Sequence, residues 1–335
     1  MICMKRRLLF ASSQAYQPNM EVDARSVGWI EPPAVVQRES AIGHRAIDLA
    51  LVGRVCEGVV VAFRGTLPPF FAGDNDGWSV LLDWLNDGLS VCVETPDYAG
   101  GVHMGFAESM RRLWDDRRGS PGVRSAIETM LVRNWGDGRS RRHLFITGHS
   151  KGGALANLAA YRAAGVEGWA DMPVSVATFA AARAGNAAFA RGYAATRIAC
   201  LRYEIPNDLV PHLPPGPETP QWVNALARGL VPRLAASDYH PVGEKVASAG
   251  SGHQAWPGSR RRLPRLLGRR GLGLEALVPD LLTAHAICPE SGYDLLVCDG
   301  EAECRHGAGE TSPSPTGRGL RRLRSCSCKA LVGAG

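Results

Sequence analysis

Four short runs of apolar, β-branched residues punctuate the chain: GVVVAFRGT (58–66), RHLFITGHS (142–150), PVSVATFAA (173–181) and RIACLRYEI (197–205). Their apolar positions are consecutive rather than alternating, the pattern of strands buried on both faces, so they predict a mostly parallel sheet. Helical spacing fills the intervals. GFAESMRRLWDD sets Phe106, Met110 and Leu113 on one face, SAIETMLVRNW repeats the pattern, and KGGALANLAAYRAA follows Ser150 with helix formers and small residues that allow close packing on a sheet. The alternation predicts a layered α/β domain, a central sheet flanked by helices.

From about Pro257 the pattern weakens. PGSRRRLPRLLGRRGLG is broken by Pro and Gly, and residues 300–335 are rich in Gly, Ser, Pro and Arg with no apolar period. The expected organisation is one domain over 1–299 and a disordered basic tail over 300–335. No internal repeat is found. No apolar run approaches the roughly 20 residues of a membrane-spanning helix. The opening MICMKRRLLF has a basic cluster but too short an apolar stretch for an intact secretory signal. Nine cysteines, an odd number without zinc-ligand spacing, point to a reducing compartment and away from a disulfide scaffold or metal site. The expectation is therefore a cytoplasmic protein, with secretion by a signal-independent route as the alternative, needing no metal or organic cofactor.

One stretch carries chemistry. Gly148, Ser150 and Gly152 form G-x-S-x-G at the junction of the HLFIT strand and the SKGGALANLAA helix. That is where a nucleophile elbow places its serine, with glycines giving neighbouring backbone room. A serine hydroxyl needs a histidine to take its proton and a carboxylate to orient that histidine. In this architecture the chain order is Ser, acid, His, and Asp208 in RYEIPNDLVPHLPP follows the fourth apolar run directly.

Six motifs in order then make the resemblance specific: VVVAFRGT (59–66), DWLNDG (83–88), VHMGF (102–106), FITGHSKGGALA (145–156), TFAAARAGN (178–186) and NDLVPHLPP (207–215). Over about residues 10–295 the chain resembles the class 3 (fungal-type) lipases, an α/β-hydrolase family of triacylglycerol lipases, esterases and phospholipases. The resemblance implies an α/β-hydrolase fold with a mostly parallel sheet. It implies Ser150 as nucleophile, Asp208 as triad acid, and an oxyanion hole made by Thr66 and the backbone N–H of Lys151.

The resemblance also orders the histidines that follow the serine. His212 lies in VPHLPP, where the family's histidine is not the base, and His240 in SDYHPVGE matches a stretch that precedes the base. His253 is a further candidate, and His306 lies in the tail. His285, in PDLLTAHAICPESGYDLL, is followed by a tyrosine and an apolar stretch as the family's base is, although Ala284 stands where Asp is common. His285 is the expected base and His240 the alternative. His44, His103, His143 and His149 are expected to pack or hydrogen-bond.

Two further segments bear on substrate. Residues 67–87, with Phe70, Phe71, Trp78, Leu81, Leu82 and Trp84, occupy the interval that holds a lid in the family, against the plainer reading of a buried helix. The arginines at 260, 261, 262, 265, 269 and 270 equal the net charge of +6 and carry no acid among them. They are read as a solvated run, with transient contact to an anionic membrane surface as the functional alternative; no nucleic-acid module accompanies them. The expected activity is a serine carboxylester hydrolase acting on lipid esters. Phospholipase A1 or lysophospholipase action, acyl transfer, and a catalytically inactive lipase-fold binding protein are the alternatives. Oligomeric state is not legible.

Overall fold

The computed structural model describes residues 3–17, 24–39, 46–66, 91–117, 119–137, 141–205, 208–221, 223–224, 238–246, 285, 287, 293 and 297. The chain begins with α1 (Met4–Gln14), α2 (Ala24–Val27) and the strands β1 (Ala34–Glu39), β2 (Ala46–Val55) and β3 (Gly58–Phe63). It continues through β4 (Cys92–Glu94), β5 (Gly101–His103), α3 (Met104–Trp114), α4 (Val123–Asp137), β6 (Leu144–His149) and α5 (Lys151–Ala164). The described part closes with β7 (Val174–Phe179), β8 (Gly185–Asn186), α6 (Ala187–Ala195), β9 (Ala199–Tyr203), β10 (Tyr239–His240) and β11 (Glu244–Lys245). The interval 67–87, the arginine run 260–270 and the tail 300–335 lie outside the described residues, as do His44, His253 and His306.

The central sheet runs β1-β2-β3-β6-β7-β9-β11. From β3 to β11 every pairing is parallel, with Val61 opposite Ile146, Ile146 opposite Val176 and Val176 opposite Cys200. The four apolar runs are β3, β6, β7 and β9, and their continuous hydrophobicity has a direct cause. Val59, Val61 and Phe63 enter a core shared with α3, α4 and α5, while Val60 and Ala62 enter a second core on the other face with Leu8 and Leu9 of α1. Both faces of β3 are fully covered. The result is a mostly parallel sheet between helical layers, the arrangement expected of an α/β-hydrolase fold.

Three features extend beyond the pattern of the apolar runs. Strands β1 and β2 join antiparallel at the β3 edge. A second, four-stranded sheet runs β10-β8-β5-β4. Helix α1, read from sequence only as a poor secretory signal, is built into the fold: Ser12 Oγ lies 2.9 Å from Thr147 Oγ1 of β6. The cysteine reading is corrected at one position. Cys56, between β2 and β3, is disulfide-bonded, whereas Cys92 and Cys200 are free thiols. The cysteine count therefore does not by itself establish a reducing compartment. No helix among the described residues is long and apolar enough to cross a membrane.

Because Ile146 is fully buried in the middle of the sheet, Ile146→Ala should lower unfolding stability by about 2–5 kcal/mol. Val132→Ala, at a side chain 64% exposed, should stay within about 0.5 kcal/mol of the parent protein. Urea denaturation followed by circular dichroism compares the two.

Candidate active site

The turn from β6 into α5 leaves Ser150 at φ 59°, ψ −130°, a left-handed conformation that non-glycine residues rarely adopt. Three backbone hydrogen bonds hold it: Ser150 N–H donates to Phe179 O at 3.0 Å, and Ser150 O accepts from Gly153 N (3.0 Å) and Ala182 N (3.3 Å). The glycines answer to crowding. A Cβ at Gly148 would strike the Gly152 carbonyl, and a Cβ at Gly152 would strike the Phe63 carbonyl at the end of β3. The motif thus records how closely β3, β6 and the first turn of α5 approach.

Asp208 sits beyond the end of β9 with its side chain wholly buried. Its carboxylate accepts from Val210 N–H (3.0 Å), from Tyr293 Oη–H (2.5 Å) and from His285 Nδ1 (3.0 and 3.1 Å to its two oxygens). Three donors on a buried carboxylate satisfy what would otherwise be a costly charge. His285 also lies against the elbow. Its ring centroid is 4.6 Å from that of His149, the residue before Ser150, and its carbonyl oxygen is 2.8 Å from His149 Nε2.

Those contacts fix the His149 tautomer. A carbonyl can only accept, so Nε2 carries the proton, and Nδ1 then accepts from Tyr16 Oη–H at 2.8 Å. Burial, reinforced by the neighbouring His285, holds the His149 pKa well below the usual histidine value, so this imidazole stays neutral. Tyr16 lies just beyond the C-terminus of α1, so that helix reaches the site through one hydroxyl. Burial likewise pushes the Tyr293 phenol upward, with Asp208 adding to the shift, which keeps it a donor.

The other histidines among the described residues lie elsewhere. His240 is 3.0 Å from Asp238 and 3.9 Å from Glu218. His212 lies in a short 3-10 turn (Val210–His212), its pKa lowered by burial to about 4. His103 caps α3, accepting from Phe106 N–H at 3.3 Å, and burial lowers its pKa to about 3. His143 Nε2 lies 3.0 Å from Ser175 Oγ.

The residues expected at the oxyanion hole flank the elbow. Thr66 follows β3, and its Oγ1 is buried without a hydrogen-bond partner among the described residues. Lys151 opens α5, so its backbone N–H is one of the first-turn donors that lack an intrahelical acceptor. Its side chain was not anticipated. Nζ turns inward and donates to Asp48 Oδ1 of β2 at 2.8 Å, while Arg112 of α3 donates to Asp48 Oδ2 through Nε (3.0 Å) and Nη2 (2.7 Å). Burial alone would raise the Asp48 pKa, but Lys151 and Arg112 outweigh it and hold the carboxyl below the usual aspartate range. No group of three or more His, Cys, Asp or Glu residues suited to a metal ion occurs among the described residues.

Residues 60–217 match the family model described as Lipase (class 3). That span contains Thr66, Ser150, Lys151 and Asp208 and ends before His285. Two curated relatives are similar: a Caenorhabditis elegans protein described as a lipase (26% identity, 62% of this chain and 54% of the relative) and the chloroplastic phospholipase A1-Igamma2 of Arabidopsis thaliana (24%, 72% and 46%). The chain spans about half the length of these relatives. Among solved structures it resembles the native Rhizomucor miehei lipase propeptide complex (21% identity, TM-score 0.46, covering 72% of this chain and 66% of that one) and lipase II from Rhizopus niveus (21%, 0.44, 63% and 74%).

Two expectations follow from the site's hydrogen bonds. Removing the hydroxyl in Tyr16→Phe leaves His149 Nδ1 buried without its donor, so stability should fall by about 1–3 kcal/mol in urea denaturation. For Asp48, whose pKa is depressed in the folded state, the stabilisation is present above its unfolded value near 4 and is lost as pH falls through the lower folded value. The wild-type advantage over Asp48→Asn in thermal unfolding should therefore be large at pH 7 and shrink steadily below about pH 4.

Proposed function

We propose that this chain, whose residues 60–217 match the class 3 lipase model, is a serine carboxylester hydrolase acting on lipid esters. The observation that carries the reading is the buried Asp208 carboxylate receiving His285 Nδ1 at 3.0 Å, with His285 packed against the residue that precedes Ser150. An aspartate bonded to Nδ1 leaves Nε2 as the proton acceptor, the tautomer a serine nucleophile requires. His240 is the weaker candidate, since its carboxylate neighbours are Asp238 and Glu218 rather than Asp208.

In this mechanism Ser150 Oγ attacks the ester carbonyl while His285 takes its proton, and Asp208 stabilises the imidazolium. The carbonyl oxygen becomes an oxyanion, held by the Lys151 N–H and by Thr66, whose buried hydroxyl is without a partner among the described residues. His285 then protonates the departing alcohol. A water enters, loses its proton to His285 and releases the fatty acid from the acyl-enzyme, restoring Ser150. All of these steps use side chains and backbone groups of the chain itself.

A second reading has one specific support: the Arabidopsis relative is named a phospholipase A1. Both readings share the machinery and differ in the group attached to the acyl chain. Fatty-acid release from triolein emulsions and from phosphatidylcholine vesicles separates them. Triolein hydrolysis that falls at least about 1,000-fold in Ser150→Ala is the expected result. Release confined to phosphatidylcholine would select the phospholipase, and release from neither, with short-chain esters also inert, would leave the binding-protein alternative.

A further inference from the structure

Lys151 is an expensive residue in its position. It follows the elbow serine, its side chain is 9% exposed, and its counter-ion Asp48 is entirely buried. Burying such a pair usually gains nothing over apolar side chains of similar volume, because desolvating both ions offsets their attraction. What an ion pair supplies that an apolar contact does not is direction.

That direction runs across the sheet. In the strand order β3 lies between β2 and β6, so the Lys151 side chain reaches from the end of β6, past the end of β3, to Asp48 on β2. Asp48 is itself held by the two bonds from Arg112. The next residue of β2 completes the arrangement. Leu49 O accepts from Arg64 N–H at 2.9 Å, and Arg64 stands two residues before Thr66. Residues 48 and 49 therefore secure both walls of the proposed oxyanion hole, the Lys151 side and the Thr66 side.

Resting on the hydrolase reading above, we infer that Lys151 and Asp48 are a positioning pair that sets the Lys151 backbone N–H relative to Thr66 for the developing oxyanion. The pair acts through the first turn of α5. Its ammonium fixes where the Lys151 side chain leaves the helix, and hence how the N–H of the same residue is aimed. An oxyanion donor contributes mainly in the transition state, so loosening it lowers kcat and leaves KM nearly unchanged.

The test compares wild type, Ser150→Ala, Lys151→Met, Lys151→Arg and the double variant Asp48→Asn/Lys151→Met on p-nitrophenyl butyrate, each checked for folding by circular dichroism. Lys151→Met leaves Asp48 paired with Arg112. Its kcat should fall by about 10- to 100-fold with KM within about 2-fold of wild type. Lys151→Arg should recover part of the loss, and adding Asp48→Asn to Lys151→Met should cost no more than about 2-fold further, since the pair is already broken.

Wild-type kcat in Lys151→Met, or a loss expressed in KM, would overturn the inference. Should Lys151→Met not fold, the double variant carries the same comparison, and failure of both to fold would assign the pair to stability and overturn it too. Absence of Ser150-dependent turnover in wild type would overturn the hydrolase reading itself, an outcome distinct from an active enzyme indifferent to Lys151.

Discussion

The space between β3, β6 and the first turn of α5 is the constraint on which the site depends. There is no room for a Cβ at Gly148 or Gly152, and Ser150 is held at φ 59° by backbone bonds to Phe179, Gly153 and Ala182. A residue in that region costs on the order of 1–3 kcal/mol and persists only where its surroundings over-determine it. Here they do. The sheet supplies that rigidity because both faces of β3 are buried in separate cores, so the strand ends cannot shift without disturbing two layers.

From that fixed turn two polar chains lead outward in opposite directions. One passes through His149, joining Tyr16 below α1 to the carbonyl of His285, which in turn meets Asp208 and, through it, Tyr293. The other passes through Lys151 to Asp48 and Arg112. The two residues that bracket the serine in sequence, 149 and 151, thus tie it to different parts of the molecule. The first chain is neutral around His149 and reaches the proposed base; the second is ionic and lies behind the proposed oxyanion donors. Each of these buried side chains has a hydrogen-bond partner within its network, which favours rigidity.

Much of this was legible from local pattern. The four apolar runs became β3, β6, β7 and β9 because strands covered on both faces need no alternation, and the helix after Ser150 began at Lys151 as its composition indicated. Ser150 was legible because its flanking glycines are adjacent in sequence, although the crowding at Gly152 comes from the Phe63 carbonyl of the distant strand β3. What stayed hidden depends on distant residues. Strand β2 has Asp48 set in an apolar run, and nothing near it in sequence explains a buried carboxylate; its partners are 103 and 64 residues away. Tyr16 lies 133 residues from the imidazole it serves, in a segment whose composition resembles a failed export signal. His285 was reached through the family resemblance rather than through spacing, because 77 residues separate it from Asp208.

The most direct test of the central claim is labelling of the purified protein with a fluorophosphonate probe, mapped by mass spectrometry, in wild type, His285→Ala and His240→Ala. The account predicts a single label on Ser150 that persists in His240→Ala and disappears in His285→Ala. Label lost in His240→Ala but retained in His285→Ala would contradict it, and so would a folded wild type that stays unlabelled even in detergent micelles.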